Sequence, residues 1–170
     1  QETVVPEVYD ALTLLGFRRS GSNLYRPHCE SCSACTSVRI PVDDFAPSRT
    51  QRKLINRNQD LTFRLRPAEF DEQHYALYAR YIRARHADGD MFPPSREQYR
   101  MFLAQTHPFA KLLEFRLGDH LMAVAATDLL SHGLSAIYTF FDPDPLFERR
   151  SLGSFAVLSQ IEPARKRRLP

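Results

Sequence analysis

Tryptophan is absent from this sequence, and cysteine occurs only at Cys29, Cys32 and Cys35. The missing tryptophan excludes nothing. An odd, tightly clustered set of thiols makes a poor disulfide framework and fits a reducing compartment, which predicts a cytoplasmic protein. No run of about 18 apolar residues occurs, so nothing reads as a membrane-spanning helix, and no signal-peptide pattern is visible. Internal repeats and low-complexity segments are also lacking. Charge of one sign is barely in excess: 23 Lys and Arg against 20 Asp and Glu leave +3 over 170 residues. The chain is no polycation, so a polyanionic partner would have to be met by a local basic patch. The length predicts one globular domain, or one with a small appendage, and is enough to bury a core. A start at Gln1 without methionine and a stop at Pro170 after a basic run are what an incomplete chain would show.

What is present is ordered along the chain. Pro6–Leu15 predicts a helix, with Pro6 in its first turn and Gly16 as its cap. Ser-Gly-Ser at 20–22 predicts a hairpin between short strands. After the cysteines, Val38, Ile40 and Val42 alternate with Arg39 and Pro41, the pattern of a half-buried strand. Ser48 and Gln51 form a capping box that opens a helix. On it Arg49, Arg52, Lys53, Asn56 and Arg57 share one face, so this helix is amphipathic in charge, with only Leu54 and Ile55 as anchors. That stripe suits a polyanion such as RNA; a merely solvated face is the competing reading. From Leu61 the expected order is β-α-α-β-β-β-α, ending in a helix over residues 150–161. A boundary near Asp60 divides the chain into an N-terminal subdomain, 1–59, and a second unit, 60–170.

Two features carry chemistry. Cys29, Cys32 and Cys35 are spaced so that three thiolates can converge on one metal. Zinc and an iron–sulfur cluster are equally compatible, with His28 or a cysteine outside the sequence as the fourth ligand. The competing reading is a buried trio packing as small apolar side chains. The second feature is the strand–loop–helix over residues 140–155, where Gly153 permits close approach to the first helical turn and free N–H groups there favour a phosphate or carboxylate. Its strand order and its Arg150-x-x-Gly153-x turn resemble the acyltransferase architecture of the GNAT superfamily, except that Phe155 stands where a small residue is usual. The fold class predicted is therefore α+β, a GNAT-like core with a small cysteine-bearing N-terminal subdomain.

The motifs YRPHCESCSACTSVRIPV, PSRTQRK, RNQDL, RHADGDM, GLSAIYTFFDPD and RSLGSFAVLSQI, in that order, resemble the bacterial aminoacyl-tRNA–protein transferases, in the aspartate/glutamate leucyltransferase branch related to the arginyltransferases. The resemblance covers nearly all of residues 12–162. It implies a segment with a further cysteine before this chain, and an aromatic strand with a basic tail after Leu169-Pro170. It implies an enzyme that moves leucine from leucyl-tRNA to the N-terminal Asp or Glu of acceptor proteins, marking them for N-degron degradation, with no membrane or DNA partner and no cofactor required. On that reading Arg39, Arg49, Arg52, Lys53 and Arg57 contact the tRNA acceptor stem or the acidic side chain of the acceptor. Arg150, Ser151 and Gly153 bind a phosphate or the terminal ribose. His86 and Asp88 shape the site. Asp142 and Asp144 hold the incoming amine or accept its proton, and Tyr138 lines a leucine pocket. Loop capping by the aspartates and core packing by the tyrosine are the competing readings. An arginyl donor, a metal-stabilised RNA-binding module and an acetyl-CoA-dependent N-acetyltransferase are the alternative functions.

Overall fold

The computed structural model describes residues 4–169. Helix α1 (Pro6–Leu14) begins on its proline and buries Tyr9 completely. Strands β1 (Arg18–Ser20) and β2 (Asn23–Tyr25) form the expected hairpin. Its turn residue Gly21 has φ +59°, and a Cβ there would collide with the Met101 carbonyl oxygen, so glycine lets the hairpin press against a later helix.

Val38–Val42 is a correction to the sequence reading. The segment is irregular, and Val38 is 83% exposed. Alternation marks a strand only where a neighbouring strand can take its N–H and C=O groups, and none among the described residues lies alongside. Arg39 instead donates to the carbonyls of Leu14 (2.8 Å) and Thr13 (3.4 Å), satisfying the open end of α1.

Helix α2 (Arg49–Arg57) carries a complete capping box: the Gln51 N–H donates to Ser48 Oγ at 3.2 Å, and the Ser48 N–H donates to Gln51 Oε1 at 2.8 Å. There follow β3 (Thr62–Pro67), α3 (Glu72–Arg85), α4 (Arg96–Phe102), β4 (Ala110–Leu117), β5 (His120–Leu130), β6 (Gly133–Phe141), a 3₁₀ turn (Pro145–Arg150) and α5 (Leu152–Lys166). Helix α3 starts later than periodicity alone suggests, because Asp71 caps it through the N–H groups of Gln73 and His74. Helix α5 runs through Pro163 past its expected end.

The architecture is mixed α and β. Strands β3-β4-β5-β6 form one antiparallel sheet in sequence order. On one face Val124, Ala126 and Phe140 pack with Tyr78 and Ile82 of α3 and Tyr99 of α4; on the other, Met122 and Ala125 pack with Phe155 and Ala156 of α5. Buried on both faces, β5 reads as a nearly unbroken apolar run. The N-terminal residues share these cores. Tyr9 joins the α3 side, and Val42 packs with Ile161 and Ala164. A buried clasp fastens the hairpin to the sheet: Arg19 donates twice to Asp128 at 2.7 Å, and the Tyr9 hydroxyl donates to the same carboxylate at 2.9 Å.

Candidate functional site

Strand β6 ends at Phe141, and the chain turns through Asp142-Pro143-Asp144 into the 3₁₀ turn and then α5. Between strand end and helix start lies a cleft of about 280 Å³, lined by Arg85, Phe141, Asp142, Asp144, Phe147, Glu148 and residues 151–154. Ser151 adopts a left-handed conformation (φ 44°) and its side chain makes no capping bond. The first N–H groups of α5 therefore keep the anion-favouring character of an open helix start. A Cβ on Gly153 would meet the Phe141 ring at 3.3 Å, so any larger residue crowds the cleft wall. Phe155, which departs from the small residue of the GNAT pattern, is buried against Phe115 and is not part of the cleft lining.

Asp142 is nearly inaccessible and fully engaged. Its Oδ2 accepts from Arg80 and from His120 Nε2, both at 2.8 Å, and its Oδ1 accepts the Asp144 N–H at 3.1 Å. Burial pushes this carboxyl up, but the Asp144 N–H, His120 and Arg80 together hold it below the usual carboxylate range. Asp144 caps the 3₁₀ turn by accepting the Leu146 N–H at 2.8 Å. Tyr138 does not line this cleft. It packs edge-on against Phe102 and Tyr81, its hydroxyl buried without a partner among the described residues and its phenol pushed up by burial. Phe102 in turn lines a wider cleft of about 550 Å³ beside the β1–β2 hairpin, with Met91, Met101, Asp90 and Glu97.

The basic helix lies across α5. At its far end Arg57 donates to the Arg149 carbonyl, and the buried Asn58 amide donates to the Arg150 carbonyl at 2.9 Å. At its near end Arg165 of α5 donates to the carbonyls of Val42 and Phe45. The two helices thus run antiparallel, with the Arg57 end of α2 against the 3₁₀ turn that walls the cleft and Leu54 packed toward α5. Arg49 and Lys53 are exposed and make no ion pair or hydrogen bond through their side chains among the described residues, while Arg52 donates to the Pro47 carbonyl. Arg150 forms a two-pronged ion pair with Asp60 at 2.7 and 2.8 Å. His86 closes α3, its ring 5.3 Å from that of Tyr81, which packs on Phe141; Asp88 is exposed in the loop beyond.

Of the residues singled out by sequence, the structure gathers Asp142, Asp144, Ser151 and Gly153 around one cleft, with Arg57 and Arg150 behind its 3₁₀ wall. Arg39 lies apart, at the end of α1. Cys29, Cys32 and Cys35 are all exposed. Among the described residues no three His, Cys, Asp or Glu side chains are grouped to hold a metal. Sequence reasoning missed Arg85, the cation inside the cleft, and His120. The signal for His120 was the tight turn at Gly118-Asp119: pairing Ala123 with Phe141 brings the start of β5 beside the residue that follows β6.

A family model described as arginine-tRNA-protein transferase, C terminus, matches residues 73–170, and its N-terminus counterpart matches residues 1–53. An aspartate/glutamate leucyltransferase of Chromohalobacter salexigens is 72% identical over 166 residues, covering 98% of this chain and 67% of that protein. Proteins of the same name from Pseudomonas fluorescens and Marinobacter nauticus are 57% and 56% identical, covering 91% and 96% of this chain and 65% and 68% of their own lengths. The chain thus spans about two thirds of the curated relatives it matches.

Proposed function

The chain belongs to the arginine-tRNA-protein transferase family, and from that membership we propose that it transfers leucine from leucyl-tRNA to the N-terminal amine of proteins beginning with Asp or Glu. The observation that carries this reading is the 72% identity, over 98% of the chain, to a protein named for that activity.

The chemistry asks little beyond placement. An aminoacyl ester is already activated, and an α-amine with a pKa near 8 is partly neutral at physiological pH. The protein must hold amine and ester carbonyl in contact and aligned, stabilise the oxyanion and return a proton to the leaving ribose. The order β-α-α-β-β-β-α around one antiparallel sheet, with a helix opening beside a strand end, supports residues 60–170 as a GNAT-like transfer unit. Residues 1–59 form the donor-binding part. The N–H groups at the start of α5 face the developing oxyanion. Arg49, Lys53 and Arg57 carry the acceptor stem toward them by neutralising phosphates. Arg85 takes the side-chain carboxylate of the acceptor's first residue, a task suited to a guanidinium fork. The reaction as proposed draws on no cofactor, and no step runs through Cys29, Cys32 or Cys35. No helix among the described residues is long and apolar enough to cross a membrane; a cytoplasmic site of action, where charged tRNA and N-degron substrates meet, is part of the same proposal.

The test is direct. Labelled leucyl-tRNA is incubated with the protein and a peptide starting with Glu, or a matched one starting with Ala. Label on the Glu peptide alone is expected. Equal transfer from arginyl-tRNA would move the reading to the arginyl branch, and acetyl transfer from acetyl-CoA would move it to an N-acetyltransferase. RNA binding without any transfer would leave only a binding module.

A further inference from the structure

We propose that His120 is the proton carrier of the transfer step, with Asp142 and Arg80 as its positioning residues. The proposal rests on the transferase reading and assigns a residue that no sequence motif singled out.

The geometry is that of an imidazole backed by a buried carboxylate. His120 Nε2 lies 2.8 Å from Asp142 Oδ2, whose side chain is 2% exposed, while that of His120 is 47% exposed. Arg80 and the Asp144 N–H bind the same carboxylate. With its oxygens held by donors, Asp142 stays ionised and accepts from the ring, so Nε2 carries the hydrogen and Nδ1 keeps its lone pair. This disqualifies Asp142 as the proton acceptor and passes the role to its partner. His120 is not itself in the cleft lining but contacts two residues that are: its ring centroid is 5.7 Å from that of Phe147, and its Nε2 bonds Asp142. The charged groups on the neighbouring elements are Asp142 and Asp144 just past β6, Arg80 on α3, Glu148, Arg149 and Arg150 on the 3₁₀ turn, Arg116 on β4 and Asp119 at the β4–β5 turn.

The step balances. The neutral amine nitrogen bonds to the ester carbonyl carbon, and the bond from that carbon to the ribose oxygen breaks. The proton shed by nitrogen moves to His120 Nδ1 and from there to the departing ribose oxygen. His120 ends in the state in which it began, and Asp142 stabilises the proton-bearing ring in between. An imidazole suits this exchange because one ring nitrogen can take a proton and release it again while the other stays bonded to the carboxylate.

The experiment compares wild type with H120A and H120Q in single-turnover leucine transfer to the Glu peptide across pH. Because the ring is half exposed, neither variant disturbs the core, and the urea midpoint is measured to check this. Turnover is expected to fall about 100- to 10,000-fold in both, as loss of a general base does, while KM for leucyl-tRNA and peptide moves by less than about threefold. Added imidazole should restore part of the H120A rate in proportion to its neutral form, and leave H120Q unrescued because glutamine fills the space. Either variant turning over within about threefold of wild type overturns the assignment, as does a fall that imidazole does not rescue and that follows lost tRNA binding. A wild type that labels neither peptide counts against the transferase reading and takes this assignment with it. A wild type that labels the Glu peptide, beside an equally fast H120A, counts against His120 alone.

Discussion

Replacing Asp128 with alanine removes the acceptor of three hydrogen bonds at once, from Arg19 Nε, Arg19 Nη2 and the Tyr9 hydroxyl. The Arg19 and Asp128 side chains are 2% and 1% exposed, so water cannot replace the lost partner. Arg19 would keep only its bond to the Gly21 carbonyl. Breaking one side of a buried pair costs about 3–5 kcal/mol, because the remaining charge is stranded. For a chain of this size each kcal/mol lowers the melting temperature by about 2–4 °C, so a drop of about 6–20 °C is expected. Thermal and urea unfolding of D128A measure it. The double variant R19M/D128L, compared with the single ones in a Y9F background so that no buried hydroxyl loses its acceptor, tests the cause, since replacing a buried pair by apolar groups of similar volume is often close to neutral. It should recover most of the loss, giving a coupling of about 2 kcal/mol or more in the double-mutant cycle. A D128A protein within about 1 kcal/mol of wild type, or a double variant no better than the single one, refutes the argument that desolvation makes this clasp matter.

Gly21→Ala should lose about 1–3 kcal/mol, from a positive φ and a collision with the Met101 carbonyl; Gly118→Ala, also at positive φ but facing open space, should lose less, and equal melting temperatures would refute the close approach. Asp142 and Glu114 are pulled low, Asp142 by the Asp144 N–H, His120 and Arg80, Glu114 by Arg116 and His74, although burial alone would raise both. Folded values below unfolded ones mean their stabilisation is complete above the unfolded carboxylate value of about 4 and disappears as pH falls through it toward the folded values. The urea midpoint should therefore drop between about pH 5 and about pH 3, and D142N should flatten that slope; a profile identical to wild type would contradict it. The variant R49Q/K53Q should weaken leucyl-tRNA binding and lower the slope of log affinity against log salt by about 0.7–0.9 per charge removed. Unchanged affinity and slope would mean that this face of α2 is only solvated.

The parts of the fold that sequence reached are those decided within a few residues. Ser48 and Gln51 find each other across three positions, and Gly118-Asp119 closes a hairpin between adjacent strands, so local chemistry suffices for both. Val38–Val42 failed for the complementary reason: its alternation is real, but whether a strand forms depends on a neighbour that no local pattern reports. The site divides along the same line. The turn around Gly153 is local, and it located the cleft. What each charged side chain does there is not local. The partners of Asp142 on α3 and β5 lie 62 and 22 residues away, and Arg150 pairs with Asp60 across 90 residues. In a sequence these groups read as surface charge, because desolvation and pairing arise only once the sheet has folded. His120 is the sharpest case. As a residue at a tight turn it carries no signal of its own. The antiparallel register that sets Ala123 against Phe141 turns it into the neighbour of a buried carboxylate at the rim of a cleft. The reactivity proposed for it is thus a property of strand pairing, and a shift of that pairing by two residues would remove it while leaving every side chain on the same face of the sheet.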